Sequence, residues 1–197
     1  MNNKIHRMAL SAMIAAIYFG LSFVEQGFAS GLIQCRLSEA LTILPLFFPE
    51  AIIGVTIGCL IFNLSTGLLL DVILGTLATL ISSLLTYFIG KLILNKYLKF
   101  VIGAIFPVVI NALIVPIILM IEYSVEEAYF LIAIKIFIGQ LIAVYGLGFL
   151  VYITMDKIFS LNIINREWLM VFFHIKCNLE YTKISTHHLT VLKIVVY

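Results

Sequence analysis

Four stretches of this chain carry no Asp, Glu, Lys or Arg at all: residues 8–24, 51–70, 72–90 and 100–121. A bilayer's hydrocarbon core is ~30 Å thick and takes about 20 apolar helical residues to cross. Each stretch is of that order. Only 11% of the residues are charged and 63% are hydrophobic, with a mean hydropathy of +1.17. A soluble domain carries roughly 25% charged residues, so this chain cannot clothe itself for water. The expected fold is all-α, a polytopic membrane protein built as a bundle of about six transmembrane helices.

The N-terminus imitates a signal peptide, with Lys4 and Arg7 ahead of an apolar run. More spans follow at once, so it reads as a first span. Clear spans are expected at 8–24, 50–70, 72–90, 100–121 and 128–154. The segment 37–49, LSEALTILPLFFP, is short and holds Pro45 and Pro49. One helix from Leu37 to Leu70 would be ~51 Å long, too long for one crossing, and Pro49 marks the break.

Charge parity decides whether the short piece crosses. Lys4 and Arg7 precede the first span, and Lys91, Lys96 and Lys99 cluster before Phe100. Both groups belong on the cytoplasmic side, so the crossings between them must be even in number, which requires 37–49 to cross. The loop 122–128 holds Glu122, Glu126 and Glu127 without a Lys or Arg and falls outside, and Lys157 returns inside. The expectation is a multi-pass protein of the cell membrane with both termini cytoplasmic. Residues 1–157 form its transmembrane domain. Residues 158–197 form a tail without sustained periodicity, in which Trp168–Phe173 either lies in the membrane interface or is an extension with little order.

Several chemistries are missing. Residues 8–157 contain no histidine, no GxSxG elbow, no HExxH and no cysteine pair, so neither an enzyme nor a metal or other cofactor is expected. Cys35, Cys59 and Cys177 have no pairing or ligand spacing. There is no GxxxxGK[ST] loop, so active transport needs a partner or an ion gradient. No basic patch is interleaved with aromatics, which argues against nucleic acid.

The remaining polar residues gather on the outer side. Glu25, Gln26, Gln34, Arg36, Ser38 and Glu39 surround the first loop, and Asn63, Ser65, Thr66 and Asp71 flank the second outer turn. Charges in a membrane are costly and usually face a cavity or a partner, so an outward-facing polar site is the functional reading. Plainer readings stand beside it. Asp71 can cap the helix starting at Val72. Arg36 and Glu39, three apart, can form an interfacial ion pair. Asn63, Asn111 and Gln140 can hydrogen-bond neighbouring helices. Lys135 can snorkel toward Glu126 or Glu127. Gly54 and Gly58 fit close helix packing. Ala9, Ala12 and Ala16 make a small-residue strip on the first helix, for internal packing or for docking another membrane protein.

Several segments together resemble the QueT family. QCRLSEALT at residues 34–42 is similar to an outer-loop QFRxSEALT run, and GCLIFNL at 58–64 to GCxxANL. DVILGTLATL at 71–80 is similar to DVVFGSLATL, and residues 111–115 and 139–148 also match. The resemblance covers roughly residues 8–157. It implies the substrate-binding subunit of an energy-coupling-factor (ECF) importer, capturing a queuosine precursor of 7-deazapurine type on the outer side. Such a subunit works with a membrane coupling subunit and two ATPases, and Ala9, Ala12 and Ala16 would meet the coupling subunit. For the ligand it implies Glu39 with Arg36, Asn63 and Gln34 on the guanine edge, and Asp71 on a charged aminomethyl group. Asn111 and Gln140 complete the expected site. Phe62 stands where a small residue is expected, Gln140 where a glutamate is, and the tail matches nothing in the family.

The rival reading is a stand-alone secondary transporter or small channel. Such proteins often show repeats in corresponding halves, and no convincing repeat relates residues 8–70 to 72–154.

Overall fold

The computed structural model describes residues 3–26 and 36–160, which are helical without a strand. We label the α-helices α1 (Asn3–Gln26), α2 (Glu50–Thr66), α3 (Thr76–Leu92), α4 (Lys96–Glu122), α5 (Tyr129–Gln140) and α6 (Gly148–Ser160). A 3-10 segment, Leu37–Leu46, lies between α1 and α2. Single π-helical stretches, Asp71–Gly75 and Leu141–Leu147, lead into α3 and α6. Four continuous helices are long and apolar enough to cross a membrane: Lys4–Gln26, Asp71–Leu92, Lys96–Glu122 and Tyr129–Ser160. The all-α polytopic class is therefore what the chain adopts. Gln34 and the tail beyond Ser160 lie outside the described residues.

The two shorter helices depart from expectation in instructive ways. Residues 37–49 do not make a proline-broken α-helix; they wind as a 3-10 helix that ends before Pro49. This segment runs antiparallel to α1. Glu25, near the end of α1, accepts a hydrogen bond from the Ser38 amide at 3.1 Å. Near its start, Arg7 pairs with Glu50, and the Ser11 hydroxyl donates to the Glu50 carbonyl at 2.9 Å. Arg7 to Glu25 spans ~27 Å of α-helix at ~1.5 Å per residue. The return from Ser38 to Glu50 covers that distance at roughly 2.2 Å per residue, too steep for an α-helix and close to the ~2.0 Å rise of a 3-10 helix. The tighter winding is how so short a piece reaches from one end of α1 to the other. Strained helical geometry of this kind needs burial in protein, and Ser38, Glu39, Ala40 and Thr42 through Leu46 are all buried.

The expected helix 50–70 stops early, at Thr66. Gly67 adopts φ +74° and its amide returns to the Leu64 carbonyl at 3.3 Å, a left-handed C-terminal stop that suits glycine. α2 then packs parallel to α1 through its two glycines. A Cβ on Gly54 would sit 2.7 Å from the Ile14 Cβ, and one on Gly58 2.7 Å from the Tyr18 Cβ and 2.8 Å from the Ala15 carbonyl. Gly54 and Gly58 thus serve close helix approach, as their spacing suggests.

The face of α1 against the bundle is a regular stripe: Ser11, Ile14, Ala15, Tyr18, Ser22 and Glu25 are buried. Ala9, Ala12 and Ala16 lie on the outward side and are exposed. That corrects the internal-packing reading of the alanine strip. Toward the Arg7 end the bundle is closed by an apolar and aromatic core of Ile43, Leu46, Phe100, Ala104, Val108, Val144 and Tyr152. The Phe100 ring lies 5.0 Å from that of Tyr152 and 5.3 Å from that of Phe149. This dry half leaves the polar chemistry to the opposite end.

Candidate functional site

The central group is Glu39, which the 3-10 segment holds inside the bundle at 1% exposure. A buried carboxylate needs hydrogen-bond partners. Tyr18 of α1 donates to its Oε1 at 2.9 Å, and Asn111 of α4 donates through Nδ2 to its Oε2 at 3.1 Å. Three elements far apart in sequence therefore meet on one side chain. The expected Arg36–Glu39 ion pair is replaced by this arrangement. The Arg36 guanidinium instead lies over the Phe62 ring, 5.5 Å from its centroid, within cation–π range. It remains in the field of the Asp71 and Glu39 carboxylates.

Asn63, fully buried on α2, donates from Nδ2 to the Asp71 carbonyl at 2.8 Å and reaches the Cys59 sulfur at 3.4 Å. Its Oδ1 has no hydrogen-bond partner among the described residues. Gly75 makes room for this pair: a Cβ there would stand 2.9 Å from both the Asn63 Nδ2 and the Asp71 Oδ1. Cys59 is buried and free, and takes the Thr79 hydroxyl at 3.2 Å.

Asp71 does not cap the helix that follows it. The capping carboxylate comes from the far end of α4, where Glu122 accepts from the Leu70 amide at 2.6 Å and the Asp71 amide at 3.1 Å. A negative charge there also meets the positive end of the helix dipole. Asp71 itself is buried, with its carboxylate beside Asn63 and in the field of Arg36 and Glu122. Partial burial, and then the nearby Asp71 carboxylate, raises the Tyr123 phenol above its usual value.

Gln140 is 2% exposed, at the point where α5 passes into the π stretch that packs on the 3-10 segment. Its Oε1 has no partner among the described residues. Lys135 binds both carboxylate oxygens of Glu127, at 2.7 and 2.6 Å, which settles its role as an ion pair at the rim. Of the expected site residues, Arg36, Glu39, Asn63, Asp71 and Asn111 are brought into one cluster.

Tyr18 and Glu122 also shape that end of the molecule without a role assigned from sequence, and Glu25, placed among the outer polar residues from sequence but not among the site residues, holds the start of the 3-10 segment. The signal for Tyr18 and Glu25 is the seven-residue repeat of the buried stripe, in which Ser11, Tyr18 and Glu25 occupy equivalent positions. Glu122 carries no comparable signal, because its partners are about fifty residues away.

Comparison with known proteins bears on what the cluster is for. The model of the QueT transporter family matches residues 8–157. A curated relative, the "Queuosine precursor transporter QueT" of Lactococcus lactis subsp. cremoris (strain MG1363), is 37% identical over 81 residues, 40% of this chain. The chain spans about half the length of that relative, 48%. No solved structure matches the chain.

Proposed function

The chain belongs to the QueT transporter family, and from that premise we propose that it captures a queuosine precursor of 7-deazaguanine type on the outer side of the cell membrane. The observation that carries this reading is the cluster of Arg36, Glu39, Asn63, Asp71 and Asn111, polar and mostly buried, at one end of a bundle whose other end is packed with aromatics. A guanine edge offers two neighbouring N–H donors and a carbonyl acceptor. Carboxylates and amide oxygens accept the former, and a guanidinium suits the latter. The Arg36 guanidinium, held over the buried Phe62 ring, is a planar group on which an aromatic base can stack. In this reading Arg36, Glu39, Asn63 and Gln34 take the base, Asp71 takes a cationic aminomethyl group, and Asn111 and Gln140 complete the site.

Capture alone moves nothing across the membrane. The chain has no nucleotide-binding loop, and we assign it the role of substrate-binding subunit in an ECF-type importer, with a membrane coupling subunit and two ATPases. The exposed face of Ala9, Ala12 and Ala16 allows a partner helix to approach α1 closely. Arg7, Lys91, Lys96 and Lys99 then lie on the cytoplasmic side, with both termini there.

Two measurements test this. A thermal-shift screen against 7-deazapurines and common vitamins should show stabilisation by the former alone, since a ligand that binds only the folded state raises its melting temperature. Co-purification from native membranes should bring a membrane scaffold and ATPases. Substrate uptake by the protein alone in liposomes would favour a stand-alone transporter.

A further inference from the structure

The polar atoms left without partners at the outer end are mostly acceptors. Among the described residues they are the Glu25 Oε2, the Asn63 Oδ1 and the Gln140 Oε1, all acceptors, together with the Ser38 hydroxyl. A buried acceptor without a donor carries a desolvation penalty, so a site built of them favours a ligand rich in N–H groups. Glu39 is not the most available of the carboxylates, because each of its oxygens already holds a protein donor.

Glu25 differs in this respect. It is 8% exposed at the outer end of α1, and its Oε1 accepts from the Ser38 amide at 3.1 Å. That contact, with the neighbouring Leu37 amide directed at the same carboxylate, fixes Glu25 at the start of the 3-10 segment, and Oε2 is left without a well-formed hydrogen bond. Ser38, itself fully buried, places its unpartnered hydroxyl on the residue whose amide Glu25 holds. Burying Oε2 without a hydrogen bond works against the fold unless a ligand supplies the donor.

We propose that Glu25 is a ligand-binding residue whose Oε2 accepts an N–H from the amino edge of the captured base, with the Ser38 hydroxyl completing the contact. This rests on the 7-deazaguanine reading above and adds to it a residue that reads the exocyclic amine. Glu39, whose oxygens also hold Tyr18 and Asn111, ties α1, the 3-10 segment and α4 together around the base it helps to bind.

The test is calorimetric titration of the purified full chain with 7-cyano-7-deazaguanine and with its analogue lacking the exocyclic amine. Wild type should prefer the amine-bearing ligand. Glu25→Gln retains a carbonyl oxygen for the Ser38 amide but turns an NH2 toward the ligand. It should lose at least about tenfold in affinity for the amine-bearing ligand, the loss of one charged hydrogen bond, and lose much less for the analogue. Ser38→Ala should move affinity in the same direction by a smaller factor. Melting temperatures of the unliganded variants separate capping from recognition. Unchanged preference between the two ligands in Glu25→Gln overturns this inference while leaving the transporter reading intact. Failure of wild type to bind either ligand, nor any other 7-deazapurine, overturns both.

Discussion

Tyr18 and Glu39 are 21 positions apart, and the tyrosine hydroxyl donates to the glutamate Oε1 at 2.9 Å, with both side chains almost wholly buried. α1 therefore carries two unlike faces. One holds the central carboxylate of the polar cluster, and the other exposes Ala9, Ala12 and Ala16. A shift of α1 would be felt at both, which gives a physical route between the polar cluster and the exposed alanine face.

Tyr18→Phe removes the donor and leaves a carboxylate oxygen buried with less to hold it. We expect a loss of about 1–3 kcal/mol in stability, read as a lowered melting temperature in detergent, together with weaker ligand binding. A variant as stable as wild type would show that the hydroxyl is not needed to hold Glu39.

The two glycines of α2 give a sharper contrast. Gly58→Ala places a methyl 2.7 Å from the Tyr18 Cβ, and overpacking of this kind costs about 1–3 kcal/mol. Ala12→Leu lies on the exposed side of α1 and should leave stability and ligand binding intact while weakening association with the proposed coupling subunit. Thermal unfolding and pull-down of the two variants in parallel check this. An Ala12→Leu protein that still transports normally would remove the docking role of the strip.

Glu122→Ala withdraws the carboxylate from the Leu70 and Asp71 amides. Loss of a helix cap costs about 0.5–2 kcal/mol, and the segment bearing Asp71 should loosen. Hydrogen exchange at residues 69–75 should rise in the variant; unchanged protection there would mean that the helix start is held without Glu122.

Much of the fold was legible because lipid forbids scattered charge. The charge-free stretches became α1, α2, α3 and α4; charge parity called for residues 37–49 to cross the membrane, and the structure shows them as a short 3-10 helix running back beside α1. The 3-10 winding was not legible, since Pro45 and Pro49 read as a helix break rather than as tighter winding, and the winding answers a distance set by α1. The turn at Gly67 was within reach, as a glycine after Ser65 and Thr66 is a common stop. Asn63 and Asn111 stood out as amides in apolar helices. Tyr18 did not, because an aromatic in a membrane span reads as core until its hydroxyl is seen on a carboxylate. Asp71 as a local cap is one reading the sequence allows; the carboxylate that caps this helix start is Glu122, whose distance in sequence hides it.

Orientation has its own check. Single cysteines at Lys96 and Glu126 should label from opposite sides of the membrane, with position 126 reached in intact cells. Labelling of both from one side would contradict the proposed arrangement of the termini.

The claim that the outer cluster is built for a cationic 7-deazaguanine is tested most directly by titrating wild type, Glu39→Gln and Asp71→Asn with two ligands. These are 7-aminomethyl-7-deazaguanine and the uncharged 7-cyano-7-deazaguanine. Wild type should bind both. Glu39→Gln should weaken both by at least roughly tenfold, the equivalent of 1.4 kcal/mol. Asp71→Asn should reduce affinity for the aminomethyl compound far more than for the cyano compound, because only the former carries the charge that Asp71 would meet. Equal losses for the two ligands in Asp71→Asn would make its carboxylate a structural group, and a folded wild-type protein that binds neither compound would contradict the account at its centre.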